Sequence, residues 1–398
     1  MQQPGRIFRG DKYIWMVVAA LSLLGILAVY SASSSLAMNK KGGNTEFYFI
    51  RHTGFLIIGL FFMYFTHLLN YRYYARISQF MLWVSIALLC VTLAIGSEVN
   101  NATRVLPIPG LGITFQTSDM AKLFLIMYIA RYMARNQDHI ETPKAFWSIT
   151  GIISIVVLLI APENLSTALV LFSTCMLLLF IGRIHVKYLV MVFGSGLLLL
   201  TLTGFMLLNV DTEGWASAGR IPTWKKRIES FIGQGQESDQ AIQSKIAIST
   251  GGFTGKGPGG STQRNFLPHP YSDFIFAIIV EEYGLLGGLF VVSLFLTLLY
   301  RCLLIVVNTP RAYGAFLAFG LCISMVIQAF INMGVAVGLL PVTGLTLPLV
   351  SMGGTSLVFT SIAFGVILSV SRGLEEERQD KNTDQATGKV EGAPSHAT

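Results

Sequence analysis

Three carboxylates stand at or inside one apolar stretch, "SDFIFAIIVEEYG", and they are the first residues of this sequence that could do chemistry. Asp273 follows a polar, proline-broken loop, whereas Glu281 and Glu282 lie two turns further in. At 100° per residue, Glu281 would lie about 80° round a helix from Asp273 and ~12 Å deeper, with Glu282 on the opposite face. The three cannot form one acid/base pair, so we expect them to do separate jobs.

The elements that position these carboxylates are predicted to be membrane helices. Of the 398 residues, 53% are hydrophobic and 12% charged, whereas soluble domains carry about 25% charged residues. A helix needs about 20 apolar residues to cross a bilayer. Such runs lie at Tyr13–Ser31, Thr53–Leu69, Phe80–Ile95, Ser118–Met133, Phe146–Ala161, Ser166–Ile181, Tyr188–Val210, Asp273–Tyr300, Ala312–Val337 and Leu345–Ser371. We therefore predict an all-α polytopic membrane protein of about ten transmembrane helices, with one long extracytoplasmic loop, residues 211–272, between helices 7 and 8.

The distribution of cations predicts the orientation. One set of loops, which includes Arg9, Arg72 and Arg311, carries most of the Lys and Arg residues, and the positive-inside rule places that set in the cytoplasm. Both termini are then cytoplasmic: residues 1–12 as a short leading segment, and residues 372–398 as a polar, aromatic-free tail that we expect to be disordered. Residues 13–371 form the transmembrane domain.

Ionisable residues inside the predicted spans need partners. An ionised carboxylate costs a few kcal/mol or more at membrane depth, so at least one of Glu281 and Glu282 must be protonated or paired, and we expect a structural ion pair. Lys122 is the one Lys or Arg that the spans place well inside the membrane. Asp119 lies three residues before it on the same helical face, and that pair is either structural, as such pairs more often are, or catalytic. Asp273 itself is either a helix N-cap or a functional group.

The long loop and the last loop carry the other candidate features. A basic amphipathic segment around Trp224–Ile232 is either an interfacial helix or a phosphate cradle, and a second helical segment lies around Ala241–Ser249. The run Gly251–Gly260 either lets backbone N–H groups approach a phosphate or sugar, or is a hinge. In "GLLPVTGLTLPLVSMGGTS", helix breakers interrupt an apolar segment; they are Pro341, Gly344, Pro348, Gly353 and Gly354. Irregular backbone survives at membrane depth only beside protein or a water-filled cavity, which predicts a cavity open to the outer leaflet.

Composition also argues against several functions. The cysteines fall in or at the ends of spans without paired spacing, so we interpret them as core residues rather than ligands or disulfides; they are Cys90, Cys175, Cys302 and Cys322. No metal or redox site is implied by them. The net charge of +7 is spread over loops on both sides, which favours contact with anionic membrane lipids and argues against nucleic acid.

Four stretches of the sequence resemble the SEDS family of peptidoglycan glycosyltransferases, the FtsW, RodA and SpoVE group. They are "SDFIFAIIVEEYG", "FQTSDMAK", "IAISTGGFTGKG" and "GLLPVTGLTLPLVSMGGTS", and the likeness runs to about Arg372. The resemblance implies ten transmembrane helices, lipid II as substrate and a class B penicillin-binding protein as transpeptidase partner. It places the family's essential aspartate at Asp273. The aspartate of the family's Pro-Asp-x-Gly turn is replaced by Asn164.

The resemblance also implies a mechanism. A donor sugar α-linked to a polyprenyl pyrophosphate and a β-1,4-linked product imply one inverting displacement, with Asp273 as general base for the acceptor hydroxyl. The leaving pyrophosphate needs positive charge, with or without a divalent cation, Mg or Mn. We expect the substrate contacts at Arg227, Lys245, Lys256, Arg264, Ser351 and Ser356, and supporting roles at Asp119, Lys122, Glu281, Glu282, Pro341, Gly344, Gly353 and Gly354.

Two alternatives stay open beside the polymerase. A transporter that flips lipid II should show polar residues along a complete path, whereas here they cluster outward except for Glu281 and Glu282, which favours the enzyme. Within the family, "GLLPVTGLTLP" and "DFIFAIIVEE" favour the FtsW branch, and hence divisome partners and a site at the division septum, over a RodA-like elongation polymerase.

Overall fold

The structure is a computed structural model, and it describes residues 9–33, 45–98, 103–108, 113–140, 142–209, 239–267 and 270–391. Its helices are α1 (Lys12–Ala32), α2 (Thr45–Leu68), α3 (Tyr71–Ile95), α4 (Thr117–Arg135), α5 (Pro143–Ile160), α6 (Leu165–Ile181), α7 (Val186–Asn209), α8 (Asp239–Gly251), α9 (Ile275–Asn308), α10 (Ala312–Ala336) and α11 (Thr355–Glu391). Short 3-10 turns lie at Gln137–His139 and Gln263–Asn265. The strands β1 (Ser97–Glu98), β2 (Thr103–Ile108) and β3 (Ile113–Phe115) form one antiparallel sheet in that order, which the all-α prediction missed.

A helix lies at each of the ten predicted spans, and the polytopic helical fold is confirmed. Among the described residues, seven helices are long and apolar enough to cross a membrane by length and composition, and two shorter apolar ones are Leu165–Ile181 and Val186–Leu198. The α10 and α11 windows are 67% and 72% buried, against 28% for α2 and α3. The last two helices are therefore the centre of the bundle, and the others surround them.

Polar side chains cap the starts of several of these helices. Asp11 accepts hydrogen bonds from the backbone N–H groups at the start of α1, Asn70 does so at α3, and Thr142 caps α5, whose first residue is Pro143. These side chains satisfy N–H groups that have no partner within the helix. Asn164 caps α6 in the same way, through Thr167 N at 3.2 Å.

The last span was predicted to begin too early. The apolar run starts at Leu345, but α11 begins only at Thr355, and the ten residues before it are not helical. Two of these residues, Leu349 (61°) and Gly354 (52°), have positive φ, and so does Gly344 (71°) just before them. Hydropathy cannot reveal this break because Leu345–Gly354 is as apolar as a helix would be, whereas the glycines and prolines in it permit an irregular path.

The disordered tail predicted from residue 372 is wrong as far as Glu391, because α11 continues to that residue. The turn of α11 after Arg372 carries three glutamates that bind other elements. Gly10 N donates to Glu375 (3.0 Å), Arg9 pairs with Glu376 (3.9 Å), and Arg72 and Arg311 both pair with Glu377 (3.2 and 3.3 Å). Composition alone missed this because the cations that hold the tail come from distant parts of the chain. Residues 392–398 lie outside the described residues.

Truncations should separate the bound part of the tail from the rest. Removing residues 380–398 keeps the three glutamates, so we expect the Tm of the purified protein to stay within about 2 °C. Removing residues 375–398 deletes them, and because exposed ion pairs contribute roughly 0–1 kcal/mol each, we expect a fall in Tm of several °C. Differential scanning fluorimetry in detergent measures both. Equal Tm values for the two truncations would show that the glutamates do not stabilise the bundle.

A break at Gly284 divides α9 into an outer and an inner part. Gly284 has φ 68° and ψ −167°, so the helical hydrogen bonds across it are lost. The Gly-rich run Gly251–Gly260 packs against this break and satisfies the freed backbone groups. The bonds run from Lys256 N to Glu281 O (3.0 Å), from Gly257 N to Glu282 O (2.9 Å) and from Leu285 N to Gly252 O (2.9 Å). Gly284 lies roughly 14 Å along the helix from Ile275, so the Gly-rich run that contacts it extends into the membrane-spanning part of the bundle. Its irregular backbone is tolerated at that depth because the backbone groups of α9 bond to it.

Glycine is required where the two backbones cross. A Cβ at Gly284 would overlap the carbonyl oxygen of Phe253 and the amide of Gly255, and a Cβ at Gly255 would overlap the backbone of Glu282. The Gly-rich run thus packs on a broken helix, and its N–H groups at Lys256 and Gly257 donate to protein carbonyls. These two N–H groups are therefore bonded within the protein, whereas contact of the rest of the run with a phosphate or sugar stays a prediction.

Candidate active site

A cavity of about 470 Å³ opens between the ends of several helices, on the side of the bundle where the sheet and the broken segment before α11 lie. Its wall takes residues from α2, the sheet, α4, the start of α6, the approach to α9, α10 and the approach to α11. The charged residues in that wall are Arg51, Asp119, Lys122 and Asp273. The predicted cavity is therefore present, and it contains the aspartate singled out from the sequence.

Asp273 is not the cap of α9. The N-cap of that helix is Phe274, which makes no side-chain cap bond, so Asp273 precedes the helix. One carboxylate oxygen accepts a hydrogen bond from Ser272 Oγ at 2.7 Å, and the other would lie 3.5 Å from a Cβ at Gly344. The N-cap interpretation is thus wrong. A half-buried carboxylate in a polar cavity is the geometry that a general base requires.

Tyr271 lies in the same wall, two residues before Asp273. Burial raises the pKa of its phenol, and the nearby Tyr48 and Asp273 raise that pKa further. Tyr271 therefore stays a neutral phenol at ordinary pH. A neutral phenol is a donor and acceptor of hydrogen bonds rather than a second base.

Asp119 and Lys122 form the predicted ion pair, and it belongs to the cavity wall. Lys122 Nζ lies 2.8 Å from Asp119 Oδ1 and 3.3 Å from Gln328 Oε1 on α10. The pair is confirmed, whereas its purely structural interpretation is too narrow. Because Lys122 also lines the cavity, its ammonium is held in a fixed place where an anion could bind.

Glu281 and Glu282 face the outer loop and not the cavity. Glu281 is fully buried and pairs with Lys256 (Nζ to Oε1, 2.5 Å); its oxygens also accept from Ser261 Oγ (2.5 Å) and from Thr262 N (3.0 Å). Glu282 accepts from the hydroxyl of Ser31 at the end of α1. The expected structural pairing is confirmed, but the partner of Glu281 comes from the loop, which a search among the predicted spans could not find.

The predicted phosphate contacts fare differently. Arg227, with the segment Trp224–Ile232, lies outside the described residues. Lys256 is held by Glu281, and Arg264 Nη1 donates to Ser31 O (3.3 Å) and Ser31 Oγ (3.1 Å). Lys245 is exposed on α8, beside Gly338. None of these three lines the cavity, so their contact with the pyrophosphate stays a prediction.

The broken segment before α11 contributes most of its predicted residues. Gly344, Gly353 and Gly354 line the cavity, and so does Ser356 in the first turn of α11. Ser351 is buried and does not line the cavity, since its hydroxyl donates to Ser272 O at 2.6 Å. Pro341 is exposed and lies outside the cavity wall. The structure therefore does not support the substrate contact that was predicted at Ser351.

The chain's relatives identify its family. A profile described as a cell cycle protein family, FTSW_RODA_SPOVE, matches residues 11–376. The chain belongs to the FtsW/RodA/SpoVE family. It is 35% identical over 368 residues to the probable peptidoglycan glycosyltransferase FtsW of Nitrosococcus halophilus, covering 90% of this chain and 92% of that one. It is 34% identical to stage V sporulation protein E of Bacillus subtilis, covering 91% and 97%.

Two solved structures have the same fold as this family member. One describes the structural coordination of polymerization and crosslinking by a peptidoglycan synthase complex; its chain has a TM-score of 0.73 and 24% identity, with 92% of this chain and 98% of that chain covered. The other is the rod shape determining protein RodA of Thermus thermophilus, with a TM-score of 0.66, 24% identity, and 91% and 97% covered. The polytopic helical bundle is thus the fold of the family.

Sequence reasoning missed three residues of the site. Arg51 was not singled out from the sequence, yet it lies in the cavity wall. Gln328 on α10 holds Lys122 and donates to Thr346 O at 2.8 Å. Asn332, one turn further along α10, is 1% exposed and bonds the carbonyl of Asp273. Gln328 and Asn332 could have been found from the sequence, because each is a polar amide inside an otherwise apolar span, and buried polar groups need partners.

Metal-binding clusters are not found among the described residues, where no group of three or more His, Cys, Asp or Glu side chains could hold an ion. The four cysteines are free thiols; three are buried and Cys90 is exposed. They have the core character expected of them, except for Cys90.

Proposed function

We propose that this chain is a peptidoglycan glycosyltransferase that polymerises lipid II into β-1,4 glycan strands at the outer face of the bacterial cytoplasmic membrane. The observation that carries the proposal is the position of Asp273, which stands in a polar cavity without capping its helix. The relatives named as probable peptidoglycan glycosyltransferases support the same reaction.

Asp273 acts as the single base of an inverting displacement. Its carboxylate takes the proton of the acceptor sugar's 4-hydroxyl while that oxygen bonds to the anomeric carbon of the donor and the bond to the pyrophosphate breaks. General-base help of this kind contributes about 10²–10⁴-fold. Ser272 donates to Oδ1 of Asp273 at 2.7 Å and so helps to orient the carboxylate.

Arg51 and Lys122 stabilise the departing pyrophosphate. Both line the cavity with Asp273, and Lys122 is fixed by Asp119 and Gln328. Preorganised positive charge where negative charge develops is worth several kcal/mol of barrier. These two residues replace the loop cations in that role.

A smaller cavity beside the first gives the lipid a place. It shares Asp119, Lys122 and Gln328 with the main cavity, and most of the other residues in its wall are apolar, except Ser324 and Thr360. The apolar ones include Leu123, Ile126, Leu321, Met325, Phe359 and Ala363. The polyprenyl chain would lie along this apolar wall with its pyrophosphate at Lys122.

A divalent cation, Mg or Mn, is part of the proposal. Mg²⁺ is commonly bound by one or two carboxylates together with substrate phosphates and waters, and the cavity supplies Asp119 and Asp273. Asp119 pairs with Lys122 through Oδ1, while its buried Oδ2 accepts no hydrogen bond from the described residues, so Asp119 is the carboxylate that would hold the cation, and Asp273 keeps its role as the base. A bound cation would supply positive charge to the pyrophosphate.

The setting of the reaction follows from the family. The relatives named FtsW support a role in septal synthesis with divisome proteins and a class B penicillin-binding protein, and the synthase complex that shares the fold is consistent with a transpeptidase partner. Gly10 binds Glu375, so both ends of the described chain lie at one end of the bundle, which supports two cytoplasmic termini. A RodA-like role in elongation is the alternative, and a fluorescent fusion at the lateral wall rather than midcell would favour it.

The decisive experiment supplies the purified full chain, together with its transpeptidase, with lipid II in detergent. Glycan strands should form and should lengthen with time. Absence of strands under conditions where a family member makes them, together with lipid II transfer across vesicles, would replace the polymerase with a flippase. Chelation with EDTA and re-addition of Mg²⁺ or Mn²⁺ tests the cation in the same assay.

Arg51→Gln tests the site of the pyrophosphate. Arg51 is exposed at the cavity wall, so the protein should fold normally, while loss of the charge should lower kcat/KM for lipid II by ~10-fold or more. The control is Lys245→Gln, an exposed cation of α8 outside the cavity, which should stay within two-fold of the wild type. A larger loss of kcat/KM in Lys245→Gln than in Arg51→Gln would instead indicate that the outer loop binds the pyrophosphate.

A further inference from the structure

Asp273 lies on a short stretch that is neither helix nor strand. Residues Pro270–Phe274 form turns between the outer loop and α9, and the first hydrogen bonds of the helix begin only at Phe274 O. Helical geometry therefore does not fix the backbone that carries the carboxylate. Other parts of the fold must do so.

Asn332 on α10 makes one of these attachments. Its Nδ2 donates to Asp273 O at 2.8 Å and to Leu345 O at 2.6 Å, and the side chain is 1% exposed. Two carbonyl oxygens at these distances fix the orientation of the amide, because only the nitrogen can donate. One side chain thus joins the central helix, the backbone of Asp273 and the broken segment before α11.

Ser351 makes the second attachment from that broken segment. Its hydroxyl donates to Ser272 O at 2.6 Å and accepts from Leu347 N at 2.8 Å, and the residue is 1% exposed. The adjacent Met352 N donates to Tyr271 O at 2.9 Å. Three successive carbonyls, of residues 271, 272 and 273, are therefore each held by a different donor.

We propose that Asn332 and Ser351 are positioning residues that set the place of the Asp273 carboxylate in the cavity. They touch no substrate, since neither lines the cavity, and they act through the backbone of Ser272 and Asp273. The inference rests on the proposed function, because it concerns the base of that reaction. It also assigns a task to the irregular segment 345–354, which connects to the base through these bonds.

The expected effect falls on the chemical step. A misplacement of about 1 Å at a reacting group can cost ~10²-fold in rate, whereas binding of lipid II uses other parts of the cavity. Loss of either donor should therefore lower kcat with little change in KM, which is the signature of an interaction that matters in the transition state. A residue that only stabilises the fold would lower the amount of active protein and leave kcat per folded molecule unchanged.

The test uses Asn332→Leu and Ser351→Ala in the full chain with its transpeptidase and lipid II. We expect kcat per folded molecule to fall ~10-fold or more in each, with KM within two-fold. The matched control is Ser244→Ala, which removes another buried hydroxyl bond to α10, from Ser244 Oγ to Ala336 O (2.7 Å), without touching residues 271–273. Its kcat should stay within two-fold. If Asn332→Leu does not fold, Ser351→Ala decides, since it removes one oxygen only.

A second measurement places the effect at Asp273. Ser351→Ala and Asn332→Leu are repeated in the Asp273→Asn background, where a residue that acts through the carboxylate should cause less than a two-fold further loss. The same fold-loss in both backgrounds, or a normal kcat in both single variants, overturns the inference. A wild-type chain that makes no glycan would instead overturn the proposed function, so the two failures are distinguishable.

Discussion

Asp273→Asn should lower glycan synthesis per folded molecule by ~10² or more while the protein still folds. The substitution keeps the size of the side chain and an oxygen that can accept from Ser272 Oγ, so the local hydrogen bond survives. What is lost is the capacity to take a proton from the acceptor hydroxyl. Radiolabelled or fluorescent lipid II, with gel separation of the strands, measures the rate, and size-exclusion chromatography measures the folded fraction.

Asp239→Asn is the matched control for that experiment. Asp239 lies in the first turn of α8 and does not line the cavity, so the same chemical change there should leave synthesis within two-fold. Because α9 is not capped by Asp273, a change in helix stability cannot explain a loss of rate. An Asp273→Asn enzyme with full activity would remove the catalytic assignment.

Glu281→Gln should instead lower the stability of the folded protein. Glu281 is fully buried and accepts from Lys256, Ser261 and Thr262, and loss of its charge leaves these donors with a weaker acceptor. Breaking a buried ion pair costs about 3–5 kcal/mol, and because the Lys256 side chain is 29% exposed, we expect the lower end, about 3 kcal/mol. The measurement is Tm in detergent together with the yield of monodisperse protein.

Two comparisons test that explanation. Lys256→Met combined with Glu281→Gln should cost less than the sum of the single changes, because the second change no longer breaks the pair. Glu282→Gln, whose acceptor role toward Ser31 needs no charge, should cost less than Glu281→Gln. Synthesis per folded molecule should stay within a few-fold in all of them, and a selective loss of rate at an unchanged Tm would place Glu281 in the catalytic machinery.

The amino-acid sequence by itself determined the class of fold, the helices and the central aspartate. Apolar runs of about 20 residues leave a chain few alternatives to membrane helices, because backbone polar groups must be satisfied internally in lipid. The Gly and Pro residues of the segment 338–356 predicted an irregular path and a cavity for the same reason. Asp273 was singled out because a carboxylate at the start of an apolar span is expected to be either a helix cap or a functional group.

Only the tertiary structure decided the partners of the polar residues. Lys256 pairs with Glu281 across 25 positions of sequence, Arg9 reaches Glu376 from the other end of the chain, and Asn332 reaches Asp273 from another helix. Hydropathy and helical phase describe one segment at a time, so they cannot show which of several cations a carboxylate meets. The free energy of a buried charge depends on that choice, because it is set by groups within a few ångströms whatever their distance along the chain. The loop cations were for this reason assigned to the pyrophosphate, whereas packing places Arg51 and Lys122 in the cavity wall.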